Sequence, residues 1–176
     1  MSQESSIVLG MGCFWGAEKH LSKVSGVLST EVGYAGGQSL YPSYESVLME
    51  ARVKPSSSHA EVVNVIFNPV EVVLASILVC FWENHDPTQG FRQGNDIGAN
   101  YRSVIFYTDP LHLPLIGQSR DRFQGALNAA GYGAITTEIA PLAVFYAAEV
   151  HHQQYLTKNP MGYCGLGGLG VYYPKK

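Results

Sequence analysis

Apolar positions along the chain fall into short runs separated by glycine, proline and polar clusters. Residues 7–11 are apolar and close on a glycine turn, which predicts a strand. Across 16–24, Ala17, Leu21 and Val24 recur at spacings of four and three, which predicts a helix. Residues 27–34 alternate toward a second strand, broken by Gly36-Gly37, and 44–49 predict a short helix. Residues 51–58, with Pro55 and three consecutive serines, read as a polar loop. Residues 60–67 are rich in valine, isoleucine and phenylalanine and predict a central strand, ended by Asn68-Pro69. The apolar run 72–82 reads as a buried helix; its 11 residues fall short of the 18 or so that a membrane span needs. Residues 85–100 are polar, contain Gly90, Gly94 and Gly98, and read as a long loop. A strand is predicted at 102–107. A helix follows, opened by Thr108-Asp109-Pro110, disturbed in its first turns by Pro114 and Gly117, and ended by Gly131 and Gly133. A weak strand at 135–139 and a helical stretch at 145–158 complete the regular elements. Five glycines among residues 162–170 make the tail irregular. Helices alternating with strands point to an α/β or α+β fold, with helices packed on a small mixed sheet.

Length and composition narrow the class. The 176 residues suit a single domain, 1–176. Eleven basic against 14 acidic residues leave a net charge of −3, and no basic stripe of the kind nucleic acid requires is present. Three cysteines do not make a disulfide scaffold. Residues 1–6 are polar, so no secretory signal is expected, and a reducing, cytoplasmic setting makes a reactive cysteine catalytic rather than structural. The six histidines form no metal-ligand pattern, and no glycine motif follows a strand in a phosphate-binding arrangement. No metal, nucleotide or other cofactor is expected.

Cys13 stands between a predicted strand and a predicted helix. The unpaired N–H groups and macrodipole of a helix N-terminus favour a thiolate there, whereas most free cysteines are small buried apolar residues. Phe14 and Trp15 follow in a turn, where at least one ring is free to line a cavity for a soft apolar group. Cys164 lies in the glycine-rich tail and can reach a distant partner, because loop-closure entropy grows slowly with length. Cys80, within the apolar helix, is expected to be buried and inert. Glu61 is a lone carboxylate at the start of an apolar strand: burial would raise its pKa and keep a proton available, and the alternative is a solvated strand-edge charge. Tyr44, Tyr101 and Tyr155 are candidate hydroxyl donors. Asp96, in a polar loop, is a candidate orienting carboxylate or a turn residue.

Gly12-Cys13-Phe14-Trp15-Gly16 resembles the signature of the A-class peptide-methionine sulfoxide reductases. So do the segments 32–37, 59–61, 81–89, 92–96, 101–103, 152–155, 158–160 and 162–165, which run in family order over nearly the whole chain. The resemblance implies a two-layer α/β fold on a mixed sheet, with a ferredoxin-like core and a long coiled C-terminal segment. It also implies the reduction of methionine-S-sulfoxide, free or in oxidised proteins, as repair of oxidative damage. Under it, Cys13 is the nucleophile, Phe14 and Trp15 hold the substrate methyl group, and Glu61 protonates the sulfoxide oxygen with help from Tyr44 and Tyr101. Asp96 belongs to the same polar network. Cys164 resolves the Cys13 sulfenic acid as a disulfide, which thioredoxin (or dithiothreitol) reduces, with the protein acting as a monomer away from membrane and nucleic acid. Four places depart from the family pattern: a longer 49–58 segment, Val150-His151 where Asp-Tyr is usual, Pro114 in a normally regular helix, and Tyr172 in place of a further recycling cysteine. Two other readings of the same residues are a thiol peroxidase and a catalytically weak binding protein for oxidised methionine.

Overall fold

Strand periodicity decides which side chains meet the helices. In β1 (Ser5–Met11), Ile7, Leu9 and Met11 join one apolar cluster and Val8 joins another on the opposite face. In β3 (Ala60–Phe67), Val63, Val65 and Phe67 join the first cluster, and Ala60 and Val62 the second. Both strands are buried on both faces, hence their near-continuous apolar sequence. The computed structural model describes residues 3–71 and 74–175.

β2 (Val27–Ala35) and β6 (Ser103–Tyr107) pair antiparallel with β3 and β1 respectively, giving the order β6-β1-β3-β2. Helix α1 (Phe14–Leu21) carries the chain from β1 to β2, and α3 (Leu74–Glu83) lies on the path from β3 to β6. Two interleaved β-α-β crossovers of this kind form a ferredoxin-like core. β7 (Glu138–Pro141) adds parallel to β6 at one edge, and β8 (Phe145–Ala147) adds antiparallel to the end of β2 at the other. No helix of the described residues is long and apolar enough to cross a membrane.

Several elements differ from their sequence expectation. Helix α2 (Tyr44–Val53) extends four residues past position 49, into the predicted loop, before a 3-10 turn at Pro55–Ser57. Ser43 and Ser46 cap its start reciprocally, and Val47 and Ala51, four apart, face the core. Of the predicted apolar helix, residues 72 and 73 lie outside the described residues. In α4 (Leu113–Ala129), Pro114 sits in the first turn, where its missing N–H leaves no bond unmade, so the helix is unbroken. The predicted helix at 145–158 is instead β8, a 3-10 turn at Val150–His152 and the single turn α5 (Tyr155–Lys158). The free edge of β2 at Gly33–Ala35 pairs with this segment, and tertiary pairing overrides the local helical spacing. The long polar loop folds into a hairpin, β4 (Arg92–Gln93) and β5 (Asp96–Ile97), and a 3-10 turn at Ala99–Tyr101. Among the described residues the tail contains no regular element after α5, yet Leu166, Leu169, Val171 and Tyr173 pack on the helix-side cluster. Tyr173 donates its N–H to Glu83 Oε2 at 2.7 Å, and its ring stacks on Phe123 at 6.5 Å.

His85 ties α3 to β6. It is fully buried, its Nδ1 lies 2.6 Å from the Phe81 carbonyl and its Nε2 lies 2.8 Å from Ser103 Oγ. Burial lowers its pKa to about 4, against the Phe81 bond, which raises it. An unfolded chain takes up this proton near 6.5, so the contribution of His85 is complete above that value and is lost as pH falls toward 4. The loss amounts to about 3 kcal/mol at pH 4 relative to pH 7. Glu61, whose pKa is raised, acts in the opposite sense, so the effect is read as a difference. Denaturation midpoints of the parent should fall more steeply from pH 7 to 4 than those of His85→Gln; equal slopes would contradict the assignment.

Candidate active site

Gly12 turns the chain from β1 into α1 with φ 105°, and a Cβ there would stand 2.6 Å from Gln93 Cγ. Only glycine fits this turn. Cys13 follows as the half-buried N-cap residue of α1; its side chain makes no capping hydrogen bond, and the nearby backbone N–H groups of Trp15 and Gly16 act to lower its pKa. These donors favour the thiolate, as its position in the sequence suggests. Burial outweighs them, with the charges of Glu61 and Asp96 acting in the same direction, and the thiol is pushed up to about 12. Burial thus opposes the helix terminus and favours the thiol at neutral pH.

Phe14, the first helical residue, donates its N–H to Glu61 Oε1 at 3.3 Å, and Asn100 Nδ2 donates to Oε2 at 2.9 Å. Glu61 faces the helices from β3, opposite Tyr34, and is only 1 % exposed. It is a buried group and not a strand-edge charge, and the 49–58 segment does not displace it from its register. Burial pushes its pKa up to about 8 despite the two hydrogen bonds, so the carboxyl carries a proton at neutral pH.

Tyr44 opens α2, and its N–H donates to Glu149 Oε2 at 3.0 Å, while Glu149 Oε1 accepts from the Tyr34 hydroxyl at 2.8 Å. Tyr101 ends the 3-10 turn that carries Asn100. Both phenols are raised, by burial first and then by the charge of Glu61, and both remain neutral hydroxyls beside it. Asp96, on the β4–β5 hairpin, is raised by burial and accepts from the Tyr163 hydroxyl at 3.4 Å. Cys13, Gln93, Asp96, Gly165 and Leu166 line a cleft too narrow for water, so the tail closes one side of the nucleophile.

The two aromatic residues separate in role. Phe14 is buried, with its ring 5.7 Å from Tyr34 and 5.2 Å from His152. Trp15 is half-buried, stacks on Tyr155 at 3.8 Å, and donates its indole N–H to His152 Nδ1 at 3.1 Å. That bond fixes the His152 proton on Nε2, a buried atom with no hydrogen-bond partner among the described residues. The rings of His151 and Tyr44 also lie against His152, at 4.1 and 4.8 Å. Thus Cys13, Phe14, Trp15, Tyr44, Glu61, Asp96 and Tyr101 converge. Asn100 and His152 belong with them: Asn100 adjoins the recognised segment 101–103 and His152 opens the segment 152–155, but the sequence singles out neither for a role. Among the described residues no group of three or more His, Cys, Asp or Glu is placed to hold a metal ion.

Cys164 is exposed, and its sulfur lies 3.0 Å from where a Gly16 Cβ would stand, within one helical turn of Cys13. Cys80 is half-buried rather than fully buried, and burial raises its thiol to about 11. Its sulfur lies 3.7 Å from the His20 carbonyl, near the far end of α1. His20 lies seven positions beyond Cys13, a rise of about 10 Å along the helix, whereas a disulfide spans Cα atoms at most about 7 Å apart.

A family model of peptide methionine sulfoxide reductase matches residues 5–168. The chain is 54% identical over 167 residues to the peptide methionine sulfoxide reductase MsrA of Rhodospirillum centenum, a match covering 95% of this chain and 74% of that protein. The solved methionine sulfoxide reductase A of Corynebacterium diphtheriae superimposes with a TM-score of 0.83 at 41% identity, covering 98% of this chain and 84% of the other. Reduced Mxr1 of Saccharomyces cerevisiae gives 0.77 at 31% identity, covering 98% and 93%. The yeast protein is also known in complex with Trx2, where the likeness, at 23% identity and a TM-score of 0.57, is one of fold. With a family model spanning most of its length and relatives identical at more than half of the aligned positions, the chain belongs to the peptide methionine sulfoxide reductase family.

Proposed function

We propose that this protein reduces methionine-S-sulfoxide to methionine through Cys13, with Glu61 as the acid and Cys164 as the resolving thiol. The observation that carries the reading is the pairing of a thiol at the start of α1 with a buried carboxyl, Glu61, whose Oε1 accepts from the N–H of the adjacent Phe14 at 3.3 Å; burial raises that carboxyl's pKa and keeps its proton available. Glu61 gives its proton to the sulfoxide oxygen, which makes the sulfur electrophilic. The thiol proton of Cys13 passes to the emptied carboxylate as its sulfur bonds to the substrate sulfur. Hydroxyls of Tyr44 and Tyr101 steady the oxygen, and Asp96 orders the near side. Trp15 forms the wall against the substrate methyl group, and buried Phe14 supports the floor. The protonated oxygen then leaves the substrate sulfur for the Cys13 sulfur as the sulfur–sulfur bond breaks, which releases methionine and leaves Cys13 as a sulfenic acid. Condensation with the Cys164 thiol expels water and forms a Cys13–Cys164 disulfide. A dithiol protein of the thioredoxin kind then takes the disulfide, and the Trx2 complex of the yeast relative supports that partner. The chain works as one domain and a monomer, serves repair of oxidised proteins in the cytoplasm, and needs no bound cofactor.

Incubation with separated S and R methionine sulfoxides, with dithiothreitol as reductant and methionine as readout, tests the activity. Release from the S epimer alone is expected. Consumption of hydrogen peroxide without methionine release would favour a thiol peroxidase instead.

The recycling step makes its own prediction. Cys164→Ser should release one equivalent of methionine per chain and then stop with thioredoxin, while an added small thiol restores turnover. Rapid quench with thioredoxin present checks this, and continued turnover would assign recycling elsewhere.

A further inference from the structure

Glu18 lies on α1 one turn beyond Trp15 and is only 3 % exposed, and it makes no ion pair among the described residues. Lys158 is the one charge that favours its ionised form, and a buried carboxylate with no cation in direct contact is costly if packing is its only purpose. Three donors satisfy it. Its Oε2 accepts from Thr30 Oγ1 and from Gln154 Nε2, each at 2.9 Å, and its Oε1 accepts from the Gln154 backbone N–H at 2.8 Å. Gln154 is one of two non-glycine residues among those described with a left-handed φ, here 54°. Side-chain-bearing residues hold that conformation only where their surroundings over-determine it.

The neighbours of Gln154 show what this conformation controls. Two positions before it, His152 accepts from the Trp15 indole edge, and one position after it Tyr155 stacks on the indole face with the rings 12° from parallel. Gln153 is held separately, by the N–H and carbonyl of Val32. Gln154 thus sits between the two residues that grip Trp15, and its N–H and side-chain amide bind Glu18 on the same helix as that tryptophan, with Thr30 as one further contact at 3.3 Å.

We infer that Glu18 is a positioning residue for the substrate wall: through Gln154 it sets Tyr155 against Trp15 and holds the indole in one orientation. The inference rests on the reading of Trp15 as the wall against the substrate methyl group. It assigns to Glu18 no contact with substrate and no part in proton transfer, so its loss should weaken substrate binding while the chemistry at Cys13 and Glu61 continues.

Glu18→Gln in the full chain tests this. The amide keeps the shape but turns a donor toward the donors of Gln154, breaking at least one of the bonds. The KM for methionine-S-sulfoxide should rise about tenfold with kcat within about threefold of the parent. Quenching of tryptophan fluorescence by acrylamide should increase. Trp82, the other tryptophan, is fully buried, so this readout follows Trp15. Thr30→Val, nearly isosteric and lacking one donor, should move both readouts in the same direction by less, and it serves if Glu18→Gln does not fold. Unchanged quenching and KM would overturn the inference. So would a loss of kcat and thermal stability with quenching and KM unmoved, since that is a purely structural role. Trp15→Phe separates this from failure of the underlying reading. If Trp15→Phe leaves KM unaltered, the wall assignment falls, while increased quenching in Glu18→Gln would still place Glu18 in control of the indole.

Discussion

Cys13→Ser should fold like the parent and release no methionine from methionine-S-sulfoxide. Serine is nearly isosteric with cysteine, but its hydroxyl is far less acidic and far less nucleophilic at neutral pH. The fold has no reason to suffer. Cys13 is half-buried and unbridged, and its side chain makes no capping hydrogen bond that the exchange would break. Serine is a preferred helix N-cap, worth about 1 kcal/mol over a residue that cannot cap, so the thermal midpoint should hold or rise slightly. Methionine release and a thermal melt on the same sample check both halves. Activity above a few per cent of the parent would remove Cys13 from its role.

Glu61→Gln should slow formation of the sulfenic acid by about 10² to 10⁴-fold, the usual worth of a positioned proton donor. The amide cannot deliver a proton, and it turns an NH2 toward one of two donors, the Phe14 N–H or Asn100 Nδ2. Some loss of stability is therefore expected as well. The pH profile distinguishes acid from scaffold. Because burial raises the Glu61 carboxyl to about 8, it keeps its proton below that value and loses it above. Single-turnover rates of the parent should be level through neutral pH and fall beyond about 8, whereas Glu61→Gln should show no such fall. A parent rate that climbs steadily through pH 8 and 9 would mean that thiolate formation at Cys13, rather than proton donation by Glu61, limits the step.

Much of this site is readable from the chain because its chemistry interrupts local patterns. Glu61 is a carboxylate inside an apolar strand, and Cys13 stands where a strand gives way to a helix, directly after Gly12. The strands β1, β2, β3 and β6 each carry the apolar signal of burial and lie close to their expected limits. What local pattern cannot reveal is set by distant partners. The segment after Phe145 becomes a strand because β2 has an unpaired end, and the chain turns at Gln154 where Glu18, more than a hundred residues earlier, binds it. Asn100 is an ordinary amide in a polar loop until the fold brings it 2.9 Å from Glu61. The resting state of Cys13 is likewise decided by tertiary structure. The helix N-terminus is visible in the sequence, but the burial and the facing carboxylates that outweigh it are not.

The central claim is that the substrate oxygen passes to Cys13. Cys164→Ser, in which no resolving thiol can remove that oxygen, is incubated with one equivalent of methionine-S-sulfoxide without reductant, trapped with a sulfenic-acid reagent, digested and mapped by mass spectrometry. The account predicts one methionine released per chain and the trapped oxygen on the peptide containing Cys13, with Cys80 unmodified. Methionine release with the modification on Cys80, or with no modified cysteine, would contradict it.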